Sequence, residues 1–237
     1  MYYDWTYLLL IPCMLFALWA QLRVKSAFSK YSAVLSRSGL TGAEAARRIL
    51  RANGIYDVQV TPTPGELTDH YDPSERVVKL SSSTYSATSV AALGVAAHEA
   101  GHACQHAESY APLKWRNAII PVTRIGSVLA MPLFLLGLLF SGGAYVGGSI
   151  GETLMVSGIL LFSFSTLFQL LTLPTEFNAS RRALQVLESQ GMLSSDELSG
   201  ARSVLNAAAL TYVAALASSL VSLLRLLLIF NNNSRRR

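Results

Sequence analysis

The stretch His98-Glu99-Ala100-Gly101-His102 sets two imidazoles four residues apart, with one carboxylate between them. On an α-helix residues i and i+4 share a face, so both imidazoles can grip one ion while Glu99 stays unligated. Neutral imidazole nitrogen is a preferred Zn²⁺ ligand, and a carboxylate beside the ion can take a proton from water held there. The pattern is that of metal-assisted peptide hydrolysis, with His98 and His102 as ligands and Glu99 as general base. Its surroundings predict a helix. Ser86-Ala87-Thr88-Ser89 offers N-cap residues, and Val90 to Ala97 is an Ala-rich run that carries the motif in register. Gly101 lowers helix propensity but leaves room for a metal or a neighbouring helix. The bland alternative is a pair of polar histidines on an amphipathic helix that bind nothing.

Composition sets the solvent. Of 237 residues 51% are hydrophobic and only 14% charged, and the mean hydropathy of +0.38 is too apolar for an ordinary soluble domain. Four stretches are long enough to cross a hydrocarbon core, about Trp5 to Leu22, Ala118 to Phe140, Thr153 to Leu173 and Leu205 to Phe230. The third contains no charged residue. The first opens Met1-Tyr2-Tyr3-Asp4-Trp5 with no basic residue before the apolar run, so it reads as a retained anchor rather than a signal peptide. Tyr2, Tyr3 and Trp5 suit one membrane interface and Trp19 the other.

Basic residues cluster after the first span (Arg23, Lys25, Lys30, Arg37), before the second (Lys114, Arg116) and after the third (Arg181, Arg182), whereas Ser141 to Ser149 has none. The positive-inside rule then places the clusters in the cytoplasm and the N-terminus outside. Arg235-Arg236-Arg237 conflicts with this scheme if the last segment crosses completely. The expected segments are an anchor at 1–22, a cytoplasmic catalytic segment at 23–117 and a span at 118–140. An external link at 141–152, a span at 153–173, cytoplasmic helices at 174–204, a span at 205–230 and a basic tail at 231–237 follow. The net charge of +5 fits attraction to an anionic leaflet and calls for no nucleic-acid partner. Cys13 and Cys104 read as buried small apolar residues, neither disulfide partners nor ligands.

The polar segment holds the local signals of a small domain. Thr41-Gly42-Ala43-Glu44 has capping-box spacing ahead of a helix that Gly54 can end. Val58 and Val60 alternate with polar neighbours, Thr61 to Gly65 breaks the chain, and Arg76 to Ser81 reads as a strand after the turn signal Tyr71-Asp72-Pro73-Ser74. A β-element therefore feeds the metal helix, and an exposed strand edge could hold an extended peptide through its backbone. His70 falls in the turn-rich part. Pro174 suits the first turn of a new helix or a kink, and Ser194 to Glu197 repeats the capping-box pattern.

A catalytic zinc needs three protein ligands and one open position. The extended metzincin spacing is absent, because Glu108 stands where its third histidine would be and Gln105 where its glycine would be. His106 lies roughly 80° around and about 12 Å along the helix from His98, too far to share the ion. Glu176 follows an uncharged span, where an ionisable residue can mark a site; the other reading is a carboxylate serving a helix dipole.

The segments Leu67-Thr68-Asp69-His70-Tyr71-Asp72-Pro73, Val95 to Ala103 and Leu173 to Leu184 resemble the YugP-type bacterial membrane zinc metallopeptidases, a similarity that runs over nearly the whole chain. More distantly the chain resembles the gluzincin group of HtpX-type and CAAX-prenyl membrane proteases, whose third ligand is the Glu of a Glu-x-x-Ala-Asp pattern. Glu176-Phe177-Asn178-Ala179 matches that pattern, and Ser180 replaces its final Asp, a weaker partner for a ligand imidazole. The resemblance implies a mainly α polytopic membrane protein of about four transmembrane helices with a small α+β, zincin-like catalytic domain at the cytoplasmic face. It implies one Zn²⁺ held by His98, His102 and Glu176, and a multi-pass location in a bacterial inner or plasma membrane. The expected partners are a protein or peptide substrate and the lipid bilayer. The competing reading is a zinc-containing membrane scaffold or chaperone-like protein, against which Glu99 argues, since a structural site has no use for an unligated carboxylate there. Metal transport would need the ligands inside a span. Arg181, Arg182, His106 and Tyr85 are all chemically able to face an oxyanion, and none is singled out.

Overall fold

A computed structural model describes residues 5–141 and 147–234. The expected interface residues Tyr2 and Tyr3, most of the link between the second and third spans, and the Arg235 to Arg237 tail lie outside the described residues. Among these residues, seven α-helices and three strands follow a short 3-10 turn at Trp5–Leu9: α1 (Leu10–Ser32), α2 (Gly42–Ala52), β1 (Gln59–Thr63), β2 (His70–Asp72), β3 (Val77–Ser81), α3 (Ser82–Tyr85), α4 (Val90–Ala107), α5 (Ala111–Phe140), α6 (Gly147–Ser189) and α7 (Ser195–Ser234). The chain is mainly α. Thr6–Ser32, Ala111–Phe140, Ile150–Ser189 and Ser195–Asn233 are long and apolar enough to cross a membrane, as expected of a polytopic membrane protein.

Two compact units divide the chain. One gathers Met1–Leu18, Trp115–Leu173 and Tyr212–Arg237. Phe134, Met155, Ile159 and Leu226 form its core, while Leu15, Leu135 and Leu139 stay exposed, as suits side chains whose solvent is lipid. Helices α5 and α6 approach closely at Gly158, where a Cβ would lie 2.6 Å from the Ala130 carbonyl oxygen. Arg225 in α7 donates to Thr6 Oγ1 at 3.0 Å and stacks over the Tyr7 ring at 3.8 Å, which compensates an otherwise costly charge in an apolar helix.

The other unit comprises Trp19–Lys114 and Pro174–Thr211. Ile49, Leu50, Val78, Leu80, Leu93, Leu187 and Leu205 are among its buried core residues. Thr41 caps α2 with both arms of the capping box, and Gly54 takes a positive φ of 70° at the helix end. The sheet has the order β1-β3-β2, with β1 parallel and β2 antiparallel to the central β3. Both outer strands are therefore edges. Pro62 is tolerated within β1 because an edge strand has one unpaired side, so the break expected at Thr61 begins only after Thr63. His70 is exposed and belongs to β2 rather than to a turn; pairing with β3 overrides the local turn signal. The Asp69 carboxylate accepts from the Ser81 backbone N–H at 2.8 Å and from its hydroxyl at 2.9 Å, tying this segment to the end of β3.

The helices run longer than their apolar stretches. Pro174 lies inside the 43-residue α6 rather than opening a new helix. A proline's fixed φ is compatible with a helix, and the continuous helix gives up one hydrogen bond there. Likewise α7 continues for 40 residues from the Ser194 cap, whose N–H and hydroxyl both donate to Glu197 Oε2, through the fourth apolar stretch.

Candidate metal centre

Helix α4 begins where Ser89 Oγ accepts the Ala92 N–H at 3.2 Å, and this cap sets the register of the motif. Its small residues allow close packing. Gly101 faces the α6 backbone so closely that a Cβ would sit 3.0 Å from the Ala179 carbonyl oxygen, so the missing side chain serves the neighbouring helix. This contact brings α6 to the histidine face of α4.

Glu176 is buried, only 4% exposed. One of its carboxylate oxygens lies 3.2 Å from His98 Nε2 and 3.5 Å from His102 Nε2. The ligand atoms of the three residues all fall within 4.8 Å of one another. Donors around a tetrahedral zinc at ~2.0–2.1 Å stand about 3.3 Å apart, so the separations measured to Glu176 suit such an ion. The two rings meet edge to face with centroids 4.7 Å apart.

The other ring nitrogens are held in turn. Ser180 Oγ lies 3.1 Å from His98 Nδ1, one α6 turn beyond Glu176, where the related pattern has Asp. Gln105 Oε1 lies 3.0 Å from His102 Nδ1. Polarity along this second chain is readable. The Gln105 amide nitrogen donates to the Thr175 carbonyl at 2.8 Å and to Asn178 Oδ1 at 2.9 Å, and Asn178 Oδ1 also accepts from Arg182 Nε at 2.8 Å. A carbonyl can only accept and a guanidinium can only donate, so the free end of the Gln105 amide is its oxygen. His102 Nδ1 must then carry a proton. Its Nε2, facing Glu176, is the nitrogen left for an ion.

Electrostatics agree. Burial opposes charging His102, yet its hydrogen bond to Glu176 and the negative charges of Glu176 and Glu99 outweigh that cost and raise its pKa. The two carboxylates thus favour positive charge at this ring. The Glu99 side chain is partly exposed and makes no hydrogen bond or ion pair among the described residues. Burial pushes the Cys104 thiol up to about 11, an inert neutral group as expected.

Of the remaining candidates, His106, Arg182 and Tyr85 have side-chain partners, and Arg181 is exposed. His106 Nδ1 is 2.8 Å from Tyr71 Oη on β2. Arg182 holds Glu108 through two hydrogen bonds of 2.7 Å, and Arg47 donates to Tyr85 Oη at 2.8 Å. Gln105 and Asn178 carry the relay, a role that sequence reasoning missed. Its visible signal was an amide three residues past His102 in an otherwise Ala-rich helix, on the side facing the ligand.

A family model described as "Putative neutral zinc metallopeptidase" matches residues 6–231. The chain belongs to this family. Consistent with such a metallopeptidase, it is 52% identical over 214 residues to the "Putative membrane protease YugP" of Bacillus subtilis (strain 168), which covers 90% of this chain and 91% of that relative. No solved structure matches the chain.

Proposed function

We propose that the protein is a membrane-embedded, zinc-dependent endopeptidase that cleaves membrane-associated or unfolded proteins. His98, His102 and Glu176 would hold one Zn²⁺, and Glu99 would act as general base. The observation that carries this reading is the convergence of two imidazoles and a buried carboxylate from α4 and α6, with the His102 relay leaving Nε2 to face the shared space. Zinc bound there supplies a Lewis acid that acidifies water and polarises the substrate carbonyl.

The protein's own groups do the rest. Glu99 takes the proton from the attacking water and returns it to the leaving amine nitrogen. Gln105 and Ser180 hold the two imidazoles in orientation so that the ligand set is formed before substrate arrives. An extended substrate can pair with the free edge of β2, the strand whose Tyr71 hydrogen-bonds His106 on the motif helix. The distribution of Lys and Arg favours a cytoplasmic active site in a bacterial plasma membrane.

The test is turnover of an unfolded membrane protein by wild type and by Glu99→Gln, with zinc content measured on both. The variant is expected to keep its zinc and lose at least ~10²-fold in rate. Undiminished cleavage would remove Glu99 from the chemistry, and a zinc-replete wild type that cleaves nothing would favour the scaffold reading.

A further inference from the structure

Helices usually face one another with apolar side chains, but α1 and α7 do not where they border a cleft of about 270 Å³. From α1 it is lined by Arg23, Ser26, Ala27, Lys30 and Tyr31, spaced as one helical face; Ser203, Asn206, Ala207 and Leu210 form the matching face of α7. Gly200 admits the Tyr31 ring at one end, where a Cβ would sit 2.7 Å from the ring. Two cations thus face a cleft with hydroxyl and amide donors and no carboxylate in its lining. Among the described residues neither Arg23 nor Lys30 has an ion-pair partner, and Lys30 lies 5.1 Å from the Tyr31 ring centre.

The stripe continues in one direction with a change of character. Trp19 and Leu22, each four residues before a cleft residue of α1, are 49% and 58% exposed, and Leu210 supplies an apolar wall from α7. Arg23 directly follows the first apolar run, at the depth where headgroups meet a spanning helix. The surface is therefore amphipathic along its length. We propose that this cleft is a binding site for an anionic phospholipid. Arg23 and Lys30 would hold the phosphate, Ser26, Ser203 and Asn206 the headgroup hydroxyls, and an acyl chain would lie along Leu22 and Trp19. Inorganic phosphate shares the charge but could use none of the apolar stripe, so the lipid is the occupant to which the cleft is matched.

The experiment uses the full chain in detergent, with native mass spectrometry to count retained phosphatidylglycerol against phosphatidylcholine. Wild type is expected to retain phosphatidylglycerol selectively, and equimolar inorganic phosphate is expected not to displace it. The double variant Arg23→Gln, Lys30→Gln should bind that lipid at least ~10-fold more weakly, since each cation near a lipid surface contributes to attraction. Lys25→Gln removes one charge from the same helix outside the cleft and should leave binding unchanged, and the charge-keeping pair Arg23→Lys, Lys30→Arg should restore it. Equal retention by the double variant, an equal loss with Lys25→Gln, or displacement by inorganic phosphate would each overturn the proposal. Zinc content is read separately, so the outcome does not depend on the proteolytic reading.

Discussion

Gln105 Oε1 stands 3.0 Å from His102 Nδ1, and the same amide donates to the Thr175 carbonyl one residue before Glu176. One buried side chain therefore orients a ring on α4 by reference to the α6 backbone. Gln105→Ala should weaken zinc binding about 10- to 100-fold, as loss of a partner behind a ligand does elsewhere. Competition with a chelator of known affinity measures this. Wild-type affinity in the variant would show that the relay is only packing.

Glu176→Ala should lose zinc on mild chelation and lose activity with it, because two histidines alone leave the ion incompletely held. His106→Ala should keep both, since His106 turns towards Tyr71. Metal analysis after dialysis against a weak chelator separates these outcomes, and a zinc-replete Glu176→Ala would reject the ligand assignment.

Gly101→Val should separate the two helices. Its added methyls meet the Ala179 backbone, which cannot move without moving α6. Overpacking of this kind costs about 1–3 kcal/mol, and here it would also pull Glu176 from the histidines. Thermal unfolding and zinc titration should both report a loss, while a wild-type zinc affinity would mean that the close contact does not position the site.

The pH dependence of stability should carry a small signal from Glu108. Its hydrogen bonds and charge pairing with Arg182 outweigh burial and hold the carboxyl below its usual value. A depressed folded pKa stabilises the protein above the unfolded carboxylate value, and the contribution is lost as pH falls through the folded value. Because Glu108 is half exposed, Glu108→Gln should cost no more than about 1 kcal/mol at pH 7. Melting temperatures of the pair should converge as pH drops below about 4, and a constant difference would contradict the assignment.

Topology can be read by single cysteines at Ser82 and Gly147 in a background lacking Cys13 and Cys104. An impermeant thiol reagent applied to intact cells should label Gly147 and spare Ser82 if the motif side is cytoplasmic. The reverse pattern would move the candidate site outside.

Local physics is written along the chain, and there the reading from residues alone went far. The Thr41 box, the Ser89 cap and the Ala-rich run needed only neighbours a few positions away, so α2 and α4 and the shared face of His98 and His102 were legible. The four apolar stretches were equally plain. Helix ends were less so, because Pro174 suits either a helix start or a kink by any local rule, and the helix runs through it when both flanks are already helical. Strand β2 was missed for the same kind of reason: three residues become a strand only by pairing with β3.

By itself the sequence determined the helix that carries the motif, the apolar segments that demand a membrane, and a short list of possible third ligands. Only the tertiary structure decided which of these come together. Placing Glu176 against two imidazoles, Ser180 behind His98, and the Gln105 amide against Thr175 and Asn178 depends on how α4 packs against α6. That packing sets Gly101 against the Ala179 backbone and satisfies the buried Gln105 amide on Thr175 and Asn178. Such contacts join residues seventy or more positions apart, and no periodicity along the chain can announce them.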